Sequence, residues 1–204
     1  MKFSPNDLIF LRKRTSGLLH SFDAAIIKSV DGSTYRALDG GIYRPSSIFR
    51  TWARYFVKFE FFYFNFNLYS PSVSIFYACR IQRYWKRVSG VHLPFGLAVK
   101  LFDLLMKALC DVYFINNNIR KKIISKINCP VDSKVMDFLE KKGHNISVEL
   151  KKMNRFHYKK IQLIIRNYTK PYPSVYLDCL IFDMIKIKQY NIEIKQKKKT
   201  KTKK

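Results

Sequence analysis

Two short segments of this chain hold the residue types that chemistry needs. In Val91-His92-Leu93-Pro94-Phe95-Gly96-Leu97-Ala98-Val99-Lys100 a glycine opens an apolar run and a lysine follows four residues later. In Cys129-Pro130-Val131-Asp132-Ser133-Lys134-Val135 a carboxylate stands at the entry of another apolar run. A glycine turn at the start of a helix leaves backbone N–H groups free, which suits a phosphate. Lys100 and Asp132 would meet across a cleft, as the amine and carboxylate of a nucleophilic or acid–base pair do. Each residue also has a plainer reading. Lys100 shares a helical face with Asp103 and Lys107, as a solvated charged stripe would, and Lys107 is the alternative amine on that face. Asp132 reads equally as a helix N-cap, and a lone histidine such as His92 as a structural hydrogen-bonding group.

The elements that must position these residues read as helices. Ser4-Pro5-Asn6-Asp7 looks like a helix start, followed by apolar spacing to Val30 with a break around Ser16-Gly17. Asp31-Gly32-Ser33 and Asp39-Gly40-Gly41 are turn chemistry, and they predict a small hairpin around the extended segment Thr34 to Leu38. An aromatic helix follows from about Ser46 to Asn67. Trp52, Phe56 and Phe59 lie on one face, mostly as core, and Arg50, Arg54 and Lys58 recur at i, i+4 and i+8 on another. After a turn at Tyr69-Ser70-Pro71, further helices are expected over about Ser72 to Val88, Phe95 to Phe114, Val131 to Lys142, Phe156 to Asn167 and Ser174 to Gln189. Ile115 to Lys122 reads as a polar, basic connection. The result is an all-α chain with one helical domain over 1–194 in two lobes, about 1–90 and 91–194. A disordered lysine tail follows over 195–204.

Charge limits the function classes. The 204 residues carry 39 Lys and Arg against 14 Asp and Glu, a formal net charge of +25. The tail holds seven lysines, so the rest of the chain keeps +18. Such an excess attracts polyanions and releases their counterions, and a nucleic acid, a ribosome or an acidic membrane would satisfy it. Lys86 and Arg87, closing the helix before His92, add to the basic candidates. Phe61 to Cys79 carries no formal charge, but Asn65, Asn67, Ser70 and Pro71 interrupt it where a membrane span tolerates them least. No transmembrane span is therefore expected. The four cysteines form no C-x-x-C pair, so neither a zinc site nor any other metal or cofactor is expected. The thiols read as reduced and the protein as intracellular, in cytoplasm, nucleoid or nucleus, and not secreted. There is no G-x-G-x-x-G and no Walker lysine loop.

Leu93 to Lys100 resembles the glycine hairpin and catalytic lysine of the helix-hairpin-helix superfamily of base-excision DNA glycosylases, especially its archaeal-type 8-oxoguanine glycosylase branch. Pro130 to Val135 is similar to that family's catalytic-aspartate segment, and the resemblance covers about residues 90–183. Ala98 stands where the hairpin has its second glycine, and Lys100 and Asp132 lie 32 residues apart, a longer separation than is usual. The resemblance implies a two-lobed helical protein that binds duplex DNA and takes a damaged base out of the stack. Lys100 would attack the sugar C1′, Asp132 would stabilise the charge that develops, and Gly96 would hold a phosphate. A basic nucleic-acid-binding protein without catalysis is the alternative.

Overall fold

The computed structural model describes residues 19–63, 69–112 and 115–181. Those residues are all-α and contain no strand; the extended pairing they show is a single parallel bridge between Leu19 and Val112. The helix start at Ser4, the break at Ser16-Gly17 and the 195–204 tail lie outside them.

Helix α1 (Phe22–Ser29) begins at Ser21, whose hydroxyl accepts from Ala24 N–H. The hairpin expected over Thr34 to Leu38 is instead a short helix, α2 (Gly32–Arg36). Asp31 decides it. Its carboxylate accepts from the Thr34 N–H at 2.7 Å and the Ser33 hydroxyl at 2.8 Å, capping a helix in place of the expected turn between strands. Helix α3 (Pro45–Phe59) ends sooner than its aromatic periodicity suggests. Its last amide bonds close at Glu60, and a 3-10 turn follows over Phe61–Tyr63. Helix α4 (Pro71–Ser89) has proline in its first turn and stops at Gly90, whose φ of 74° is the left-handed conformation that glycine adopts without steric cost.

Five residues, Gly90 to Pro94, turn the chain into α5 (Phe95–Leu109), which packs back along α4. Ten positions of α5 are buried, leaving a half-exposed stripe of Lys100, Leu104 and Lys107. Then come α6 (Asn117–Lys126), α7 (Ser133–Lys141), a 3-10 turn over Leu150–Lys152, α8 (Arg155–Thr169) and a helical segment at 175–181. The expected end of the last helix, near Gln189, is outside the described residues. No helix among the described residues is long and apolar enough to cross a membrane.

A continuous core joins these elements from Leu19 to Ile181. Phe49, Phe56, Phe102 and Trp85 are fully enclosed; Trp52 stacks on Phe56 with ring centroids 5.6 Å apart, and Tyr77 stacks on Phe102 at 4.7 Å. Trp85 Nε1 donates to the Asp39 carbonyl at 2.8 Å, satisfying the polar end of a buried indole. Both tryptophans are thereby core residues.

Candidate functional site

Lys100 lies on the second turn of α5, half-buried, with Nζ 3.2 Å from the Thr34 hydroxyl. Its ammonium acts on two carboxylates, Asp31 and Asp132, each the N-cap of a helix. Burial works to raise the Asp31 carboxyl, but hydrogen bonds from Thr34 and Ser33 outweigh it and hold the group below its ordinary value. At Asp132 burial wins and the carboxyl is raised, although Val135 N–H bonds it at 2.9 Å and Lys100 opposes the shift. The chain therefore brings Lys100 and Asp132 into one electrostatic neighbourhood. No direct ion pair joins Lys100 to either carboxylate among the described residues. Lys100 thus bonds α2 directly, through Thr34, and acts on the cap of α7 only through its charge.

Lys107 is spoken for. It forms an ion pair with Asp178, whose side chain is only 7% exposed. Burial disfavours the Lys107 ammonium, yet Asp178 and Cys179 hold its pKa above the ordinary value, so the amine stays protonated, opposite to what a nucleophile needs. Lys107 borders a cavity of about 290 Å³, which Cys110, Asp111 and Cys179 also line. Burial pushes the Asp111 carboxyl up to about 6. Arg120, expected in a polar connection, is instead a buried residue of α6. It donates to the Cys110 carbonyl at 2.8 Å and to the Val112 carbonyl at 3.0 Å.

Asp103, which the sequence places on a solvated stripe with Lys100 and Lys107, is fully buried. Its Oδ1 accepts from the Ser74 hydroxyl and its Oδ2 from the Tyr158 hydroxyl, both at 2.7 Å. Ser74 Oγ also accepts from Asn128 Nδ2 at 2.8 Å and lies 3.0 Å from the Tyr69 hydroxyl, while Arg166 donates to Asn128 Oδ1 at 2.9 Å. Burial dominates and pushes the Asp103 carboxyl up to about 7. This network ties α4, α5 and α8 together at the centre of the molecule. One signal pointed to it: Asp103 is flanked by Leu101, Phe102, Leu104, Leu105 and Met106, all apolar.

Gly96 faces protein. A Cβ built on it would stand 1.9 Å from the Leu150 carbonyl oxygen and 3.0 Å from Met153 Cβ, so the missing side chain is what lets the 150–152 turn lie against α5. Of the basic candidates, Arg50 lies 5.8 Å over the Tyr35 ring, and Arg54 pairs with Asp23 at 2.7 Å. Lys58 sits 5.2 Å over the Phe59 ring. His92, Lys86 and Arg87 are exposed.

A positive surface is built from α4, the 150–152 turn and α8. Helix α4 carries Arg80, Arg83, Lys86 and Arg87 and no carboxylate; α8 carries Arg155, Lys159, Lys160 and Arg166 and no carboxylate. Arg80 is bound to Glu60 and Arg166 to Asn128, leaving the other six toward solvent. Arg155 reaches across to Cys79 Sγ at 3.2 Å, joining the start of α8 to the middle of α4. Gln82 bonds the Leu93 carbonyl at 2.7 Å, and Gly96 lies against Leu150, so exposed Lys151 and Lys152 belong to the same side. Glu149, paired with Lys152, is the acid in that turn.

The described residues hold no cluster of histidine, cysteine, aspartate and glutamate fit for a metal ion, and the four cysteines are free thiols. No protein-family model, curated protein or solved structure matches this chain.

Proposed function

We propose that this chain is a nucleic-acid-binding protein that grips phosphates through the joined faces of α4, the 150–152 turn and α8. The observation that carries the reading is the six solvent-facing cations of those two helices, which carry no acid, on a chain of net charge +25. Lysines and arginines arrayed in this way neutralise phosphates and release counterions, giving affinity that falls steeply with salt. An intracellular location and reduced thiols go with it.

The test is fluorescence anisotropy of labelled DNA over a salt series. Changing Arg83, Arg155 and Lys159 together to glutamine lowers the slope of log affinity against log salt by about 0.7 to 0.9 for each phosphate left without its cation. Changing Lys121 and Lys122 on α6 to glutamine leaves it in place. Equal effects from both sets would sink the assignment to this face.

A second reading has its own observation. The shared neighbourhood of Lys100 and Asp132 is what this reading rests on: base-excision glycosylase and lyase chemistry on duplex DNA, in a two-lobed helix-hairpin-helix fold. In that reading Lys100 attacks the sugar C1′, expelling the base and leaving a Schiff base, and Asp132 stabilises the developing charge. Borohydride trapping on a duplex with an abasic site decides it: a covalent adduct that Lys100→Gln abolishes supports this chemistry, and no adduct removes it.

A further inference from the structure

We propose that the basic face takes unpaired strands, and that one base of the strand enters the niche beside Phe156. The proposal rests on the nucleic-acid reading and specifies which form of nucleic acid the face binds. Phe156 is 72% exposed, and its ring lies outside the hydrophobic core. It directly follows Arg155, the residue that joins α8 to α4, and is one turn from Lys159 and Lys160. The ring borders a cavity of about 160 Å³, whose polar lining is Asn145, Ser147, His157 and Lys160 and whose floor includes Ile161. The His157 Nδ1 is buried without a hydrogen-bond partner.

The size and chemistry select a ligand class. Small-molecule sites run to about 300 Å³ and more, so this niche suits a single planar ring system whose remaining atoms stay outside. An aromatic ring on the rim, an apolar floor, an amide, a hydroxyl and an imidazole are what a nucleobase needs for one face and one edge. The adjoining cations hold the phosphates of the same strand. A paired base cannot present its face to Phe156, because both of its faces are stacked within the duplex.

A second exposed ring lies in the same field. Phe76 of α4 is 54% exposed, one turn before Cys79, and the Arg80 guanidinium stands 5.7 Å from its ring centre. Phe76, Arg80, Arg83 and Arg87 recur at i, i+4, i+7 and i+11, so ring and cations form one row along the helix. The bond from Arg155 to Cys79 thus has an exposed phenylalanine on the helix to either side of it.

The experiment measures the affinity of the full chain for a labelled single-stranded oligodeoxynucleotide and for the same strand annealed to its complement. The comparison uses wild type, Phe156→Ala and the Arg83/Arg155/Lys159 glutamine variant. Single strands are expected to bind more tightly. Phe156→Ala is expected to weaken single-strand binding about tenfold, the scale of one stacked base, with duplex affinity and salt slope unchanged. Asn145→Ala supplies a second probe, and is expected to change the preference among homopolymer strands. Salt-dependent binding that the glutamine variant weakens and Phe156→Ala leaves intact would overturn the niche while preserving the nucleic-acid reading. Failure to bind either DNA form, with binding to anionic vesicles instead, would overturn both.

Discussion

The interior and the α4–α8 surface treat charge in opposite ways. Inside, Lys107 has Asp178, Asp103 has Ser74 and Tyr158, and Arg120 has two backbone carbonyls. On the surface, Arg83, Lys86, Arg87 and Lys159 stand on helices with no acid at all. Desolvation explains the first pattern, since a buried charge without a partner costs several kcal/mol. Folding does not explain the second, because like charges crowded together repel and destabilise the compact state. That positive field, kept against such repulsion, is what the proposed nucleic-acid reading rests on.

The sharpest way to break the contrast is to orphan a buried charge. Asp178→Ala leaves the Lys107 ammonium in a half-enclosed site, and a loss of about 3 kcal/mol is expected, read from the urea midpoint. Replacing both partners with apolar residues should recover most of that loss. A small effect of the single change would mean that water already screens the pair.

Asp103 gives the next effect, visible as a pH dependence. Its folded-state pKa of about 7 lies above the unfolded value of about 3.9, so the folded state holds a proton that the unfolded chain releases. The stability this confers is fully present below about pH 4, declines as pH rises, and is gone above the folded pKa of about 7. Asp103→Asn should flatten denaturation midpoints measured over that interval. Asp111, raised in the same direction, leaves a smaller residual decline. An unchanged profile would show that Asp103 does not carry the proton.

The smallest effect belongs to the exposed pair of Arg54 and Asp23, whose side chains are 53% and 52% exposed. Arg54→Ala should cost less than about 1 kcal/mol, because solvent and salt screen such pairs. A larger loss by urea titration would blur the distinction between inside and outside.

What the sequence discloses follows the same division. Helices α3, α4, α5, α7 and α8 were legible because prolines, caps and apolar spacing act locally: Pro71 opens α4, Gly90 closes it, and Asp132 caps α7. Helix α6 was not, because Asn116 to Asn118 and Arg120 to Lys122 mimic a solvated linker. Its signal was Ile119, Ile123, Ile124 and Ile127 at helical spacing, with the last three buried. The hairpin expected after Asp31 failed because aspartate caps helices as readily as it makes turns. At the candidate site, Lys100 acts on Asp132 only through its charge, with no cleft shown between them, and the Lys107–Asp178 pair, 71 residues apart, was not legible. Nor did the sequence disclose the α4–α8 face, since no local pattern ties Cys79 to Arg155.

The bond between those two residues sets an order on the folding reaction. Helices α4 and α5 are joined by five residues, Gly90 to Pro94, so their pairing closes a short loop at small entropic cost. Arg155 and Cys79 are 76 positions apart and meet only after the intervening chain has condensed. The hairpin of two helices is therefore expected to form before the cationic face. A nascent or partly folded chain carries the same lysines and arginines, but not yet in the array that a strand of phosphates would engage.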